Sequence, residues 1–93
     1  MKYDVEEVIH LNDLSFIRLC NEKYGINKGI YNTIDSWFYK HGIKNILDRR
    51  RYILSFLEFL MKRLKTNTRI KFGHGGLSVR LQEYFFEQVQ QPV

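Results

Sequence analysis

Polar side chains that can contact nucleic-acid bases follow a glycine turn in the first half of the chain. The stretch "KYGINKGIYNTIDSWFYKHGI", residues 23–43, places asparagine, lysine, threonine and serine between apolar positions. An asparagine amide can bond adenine at two points, a lysine can reach guanine or phosphate, and a threonine can touch a thymine methyl group. These types are also ordinary on an exposed helix face. The segment therefore predicts a base-contacting set, led by Lys28 and Asn32, that comprises Asn27, Lys28, Asn32, Thr33, Ser36 and Lys40.

A second group of basic residues has the chemistry of phosphate contacts. Arg49, Arg50 and Arg51 form the densest basic run. On a helix they fan over about 200°, so one or two can face a phosphate backbone while another lies along the core. The alternative for this run is a solvated helix start. The predicted phosphate contacts are Arg49, Arg50 and Arg51. Three further basic residues on a predicted hairpin would touch the minor groove or the backbone, namely Arg69, Lys71 and Arg80.

The distribution of charge favours a polyanionic partner. The chain has 93 residues and a net charge of +5, and residues 31–80 carry eleven Lys or Arg against three Asp or Glu. A basic centre between acidic ends is typical of a nucleic-acid-binding surface, although a plain solvated surface is the alternative. The length predicts a single domain over residues 1–93.

Catalysis and membrane insertion are poorly supported by the sequence. One cysteine and three scattered histidines give no metal spacing, and "GHGG" lacks the Gly-Lys-Ser/Thr of a phosphate loop. The longest apolar run, "ILSFLEFLM", is interrupted by Glu58, and the N-terminus is acidic. We expect no enzyme activity, no cofactor, no metal and no membrane partner. The single cysteine, Cys20, predicts a reducing compartment, hence a cytoplasmic or host-cell intracellular protein.

Apolar spacing divides the chain into helices and one hairpin. "DLSFIRLCNEKYG" predicts a first helix that ends at Gly25, and "NKGIYNTIDSWFYKHG" predicts a second one capped by Asn27. "NILDRRRYILSFLEFLMKRLKTN" predicts a long third helix. "TRIKFGHGGLSVRL", residues 68–81, alternates around glycines and predicts a β-hairpin, after which "LQEYFFEQV" returns to helical spacing.

Residues 17–43, "IRLCNEKYGINKGIYNTIDSWFYKHGI", resemble the helix-turn-helix of MerR-type regulators, phage excisionases and transposase N-termini. In those proteins a "YGI" or "FGV" turn leads into a helix with a bulky residue, often Trp, near its end. Asn21 departs from the usual alanine, and Lys28 from the usual serine or threonine. The resemblance implies a mostly α, winged-helix-like domain whose second helix enters the DNA major groove.

The sequence thus predicts a small non-catalytic DNA-binding protein, either a transcriptional regulator or a recombination or replication accessory factor. The absence of alanine suggests an AT-rich genome, such as that of a low-GC bacterium, its phage or mobile element, or a virus. Double-stranded DNA is favoured, single-stranded DNA is possible, and a homodimer is expected. The alternative is a protein-binding subunit or inhibitor of a larger enzyme, such as a polymerase accessory subunit, that binds through exposed aromatic residues. Exposure would favour this alternative at Tyr52, Phe56, Phe59, Tyr84 and Phe86.

Overall fold

The computed structural model describes residues 3–65, 70, 72 and 75–89, and this part of the chain is mostly helical. The long helix α4 packs against α2, α3 and α5. A π-helical turn, Phe85–Val89, continues directly from α5. The helices are α1 (Val5–Val8), α2 (Asp13–Tyr24), α3 (Lys28–Lys40), α4 (Ile46–Arg63) and α5 (Gly76–Tyr84).

Asparagine side chains start the three longest helices. Asn12, Asn27 and Asn45 precede α2, α3 and α4, and each side-chain oxygen accepts the backbone N–H three residues later at 2.8–3.0 Å. This bond satisfies one of the N–H groups that the first helical turn leaves without a partner. The predicted starts of these helices are confirmed.

The turn between α2 and α3 is held by a glycine and an asparagine. Gly25 adopts a left-handed conformation with φ 73°, and its N–H donates to the carbonyl of Asn21 at 2.8 Å. The side-chain amide of Asn21 donates in turn to the carbonyl of Ile26 at 3.0 Å. Ile26 is fully buried, so it anchors the turn in the core. Asn21 therefore stabilises the turn through its side-chain amide. An alanine at this position could not form this hydrogen bond.

Aromatic rings occupy the centre of the core. The rings of Phe38, Phe56 and Tyr84 come from α3, α4 and α5 and contact one another edge to face, with centroids 5.5–6.2 Å apart. Such geometry is favourable because the positive edge of one ring meets the negative face of the next. These three contacts fix α3 and α5 against α4.

The predicted β-hairpin is wrong in its second strand. Gly76–Tyr84 forms α5, and no strand occurs among the described residues. Leu77, Leu81 and Tyr84 are spaced for one helix face, and the last two are buried, whereas Val79 is 55% exposed. Burial of that face outweighs the alternating pattern that suggested a strand. Arg69, Lys71 and His74, which belong to the predicted first strand and turn, lie outside the described residues.

None of the described helices is both long enough and apolar enough to cross a membrane.

Cys20 lies in the core. Its side chain is fully buried, and this burial raises the pKa of the thiol to about 12. Because the thiolate is the reactive form, we expect Cys20 of the folded chain to resist a thiol reagent at pH 8 and to react promptly in urea. Rapid labelling of the native protein, measured by absorbance, would contradict this placement.

Candidate nucleic-acid interface

Helix α3 has one apolar face and one polar face. Its buried residues are Tyr31, Ile34 and Phe38, at the spacing of one helical stripe. The opposite face carries Lys28, Asn32, Thr33, Ser36 and Lys40, all of them exposed. Five of the six predicted base-contacting residues therefore lie together on one exposed face.

The sixth of these residues, Asn27, has a structural role. It is exposed, but its side-chain oxygen accepts the N–H of Ile30 at 2.8 Å and so caps α3. Its amide NH₂ group donates to no other described residue. Asn27 thus lies at the start of α3 with half of its hydrogen-bonding capacity already used.

A shallow groove of about 340 Å³ runs along the polar face of α3. We call it the α3 groove. Its walls supply an amide, two hydroxyls, an ammonium group and an aromatic side chain. The lining residues are Asn32, Thr33, Ser36, Trp37 and Lys40.

Trp37 is held in one orientation by two neighbouring rings. Its indole stacks on the imidazole of His41 with centroids 3.6 Å apart and planes at 16°, and it meets Phe85 nearly at a right angle at 5.4 Å. The Nδ1 atom of His41 lies 2.8 Å from the Trp37 carbonyl, which fixes the imidazole as well. The α3 groove therefore has one preorganised aromatic wall. The spacing of Trp37 and His41 by one helical turn was the sequence signal for this stack.

Arg50 points into the protein. It is 5% exposed, and its Nη1 donates to the carbonyls of Ile9 and Leu11 at 2.8 and 2.6 Å, while its Nη2 pairs with Asp13 at 2.5 Å. Its guanidinium also lies over the ring of Phe16, 4.7 Å from the centroid. Arg50 thus ties the segment between α1 and α2 to α4, and in this arrangement it has almost no surface to offer to a phosphate.

The two arginines that flank Arg50 are also paired. Arg49 is 11% exposed and bonds Asp35 through Nε at 2.8 Å. Arg51 makes two bonds of 2.9 Å to Glu6 and one of 2.8 Å to Asp48. The hydrogen bonds from Arg51 lower the pKa of the Glu6 carboxyl. The predicted phosphate-binding run therefore consists of side chains that already have carboxylate partners.

Arg80 follows the same pattern, since it lies 3.3 Å from the carboxylate of Glu83. The same carboxylate accepts a hydrogen bond from Arg63 at 3.2 Å, and Arg63 also forms an ion pair with Glu87. By contrast, Lys28 and Lys40 form no ion pair with any other described residue. Two lysines on the polar face of α3 thus have no carboxylate partner among the described residues.

The aromatic residues proposed for a protein partner lie mostly inside. Phe56 and Tyr84 are buried and belong to the aromatic core, and Tyr52 and Phe59 are half-buried. Phe86 is the exception at 65% exposed. Four of the five residues therefore contribute to packing, which removes most of the surface that favoured this alternative.

The chain is similar to part of a protein whose name includes RNA binding. The chain is 44% identical over 85 residues to the RNA-binding riboflavin kinase RibR of Bacillus subtilis (strain 168). The match covers 89% of this chain but 37% of RibR, so the chain spans little more than a third of that relative's length. No family model matches the chain, and no solved structure matches it.

Proposed function

We propose that this chain is a small RNA-binding domain without catalytic activity, and that the polar face of α3 is its interface. The observation that carries the proposal is the similarity of nearly the whole chain to part of an RNA-binding protein. In support, the exposed face of α3 offers amide, hydroxyl and ammonium groups, which suit base edges and phosphates. In this proposal α2 and the turn at Gly25 support α3, which makes the contacts.

The name of RibR contains two activities, RNA binding and riboflavin kinase. The residues of this chain fit RNA binding better. The glycine-rich segment "GHGG" lacks the lysine and hydroxyl residue of a phosphate loop, which is one of the motifs that bind the phosphates of ATP. The net charge of +5 and the lysines of α3 instead suit a polyanion. The choice of RNA over DNA follows from the relative, because the same side chains contact both.

The test is a comparison of RNA and DNA of the same sequence. Fluorescence anisotropy would measure the binding of the full chain to a labelled RNA hairpin and to its DNA counterpart at low and moderate salt. We expect tighter binding to RNA, with an affinity that falls as salt rises because phosphate contacts release counterions. Equal or tighter binding to DNA would favour a DNA-binding protein, and no binding to either at low salt would overturn the proposal.

The same preparation tests the second part of the proposal. Incubation with riboflavin, ATP and magnesium should yield no flavin phosphate by chromatography. Turnover above a protein-free control would show that the chain has kinase activity of its own.

A further inference from the structure

The A-form geometry of RNA limits what the polar face of α3 can contact. The major groove of an RNA duplex is deep and narrow, and side chains cannot read it. Sequence-specific recognition of RNA therefore concentrates on loops, bulges and ends, whose bases can leave the stack. If α3 contacts RNA bases, we therefore expect those bases to be unpaired.

The α3 groove has the parts that such a base requires. Base–aromatic stacking needs a ring at the binding surface, and Trp37 is the ring in this groove. The edge of a base needs donors and acceptors, and the side chains of Asn32 and Ser36 form no hydrogen bond to any other described residue. A phosphate needs a cation, which Lys40 supplies at the end of the groove.

We propose that the α3 groove binds an unpaired RNA nucleotide whose base packs against the indole of Trp37. Asn32 bonds the edge of the base, and Lys40 contacts the adjacent phosphate. This inference rests on the proposed RNA-binding function and specifies the form of RNA that is bound. Preorganisation favours it, because His41 and Phe85 already hold the indole, so binding costs little side-chain entropy at that residue.

The chain contains one tryptophan, so emission excited at a wavelength that tyrosine does not absorb comes from Trp37 alone. The probes are an RNA hairpin with an extended loop and a blunt RNA duplex with the same stem. Titration of the full chain with the hairpin should quench the Trp37 emission and saturate at the concentration where anisotropy saturates. The blunt duplex should bind more weakly and leave the emission unchanged.

Variants separate the contacts within the groove. Trp37→Leu should weaken binding to the looped hairpin about tenfold, and Trp37→Phe should retain most of the affinity because a ring remains. Asn32→Ala, a change at an exposed site, should weaken binding to the hairpin and leave the thermal melting temperature unchanged. Lys62→Ala is the control, since Lys62 is exposed on α4 and does not line the groove.

The outcomes distinguish this inference from the proposed function. Equal binding to hairpin and duplex without quenching would overturn the inference and leave RNA binding intact. The same holds if Asn32→Ala and Trp37→Leu, both folded by circular dichroism, bind the hairpin like the wild type. Failure of both RNAs to bind in the anisotropy assay would overturn the function and the inference together.

Discussion

Replacing Arg50 by methionine is expected to lower the free energy of unfolding by about 3 kcal/mol. The guanidinium of Arg50 satisfies the carbonyls of Ile9 and Leu11, and Ile9 is fully buried. Methionine can fill much of the volume, but it donates no hydrogen bond. The Ile9 carbonyl would then stay buried without its partner, and Asp13 would lose its ion pair. Urea unfolding followed by circular dichroism would measure the change.

The neighbouring residue gives a matched control for this prediction. Arg51→Met removes the same side chain one position further along α4, but its bonds to Glu6 and Asp48 are at the surface. Exposed pairs contribute little, because water solvates the separated charges well. Arg51→Met should therefore unfold at nearly the wild-type urea concentration. If the two variants unfold together, Arg50 does not have the structural role that its burial assigns.

The ends of the helices could be predicted because the signals are local. An asparagine three residues before the N–H that it caps, or a glycine that ends a helix, needs no distant partner. Asn27 caps α3 and Gly25 terminates α2, as the sequence indicated, and Asn12 and Asn45 cap α2 and α4 in the same way. The apolar stripe of α3 also predicted which of its faces is exposed. The position of the α3 groove was therefore largely accessible from the sequence.

The ion pairs of the arginine run could not be predicted from the sequence in the same way. Arg50 pairs with a carboxylate 37 residues away, and Arg51 with one 45 residues away. No local pattern reveals such partners, so a run of cations looks like a phosphate-binding site. One signal was present, since Arg50 lies on the same helical face as Ile53 and Leu57, which are buried. A cation on an apolar stripe indicates an internal ion pair more often than a free charge.

The segment at 76–84 shows why a short pattern can mislead. Leu77, Val79 and Leu81 alternate like a strand, but Leu77, Leu81 and Tyr84 are equally a helical stripe. Over so few residues the two periods cannot be told apart, and tertiary packing decides between them. Here Leu81 and Tyr84 are buried, and α5 packs against α4.

The second large effect is expected from the lysines of α3. We expect Lys28→Ala/Lys40→Ala to weaken RNA binding about tenfold at physiological salt, because two phosphate contacts are lost. Each phosphate contact with single-stranded nucleic acid contributes about 0.7 to the slope of log affinity against log salt. The two lysines stand twelve residues apart in one helix, about 18 Å along its axis, so they contact different phosphates. The slope should therefore fall by about 1.4 in the double variant. Anisotropy titrations of the RNA hairpin at several salt concentrations would measure both quantities.

A second double variant separates local contact from total charge. Lys62→Ala/Lys65→Ala removes the same charge from two exposed residues at the end of α4 and just after it. If contact with the α3 face is responsible, this variant should keep the wild-type salt slope and nearly the wild-type affinity. If both pairs reduce the slope equally, RNA is attracted by the overall charge of +5 and the polar face of α3 is not a distinct interface. The slope is the more decisive quantity, because it counts the phosphates that are neutralised, whereas affinity also changes with any loss of packing or stacking.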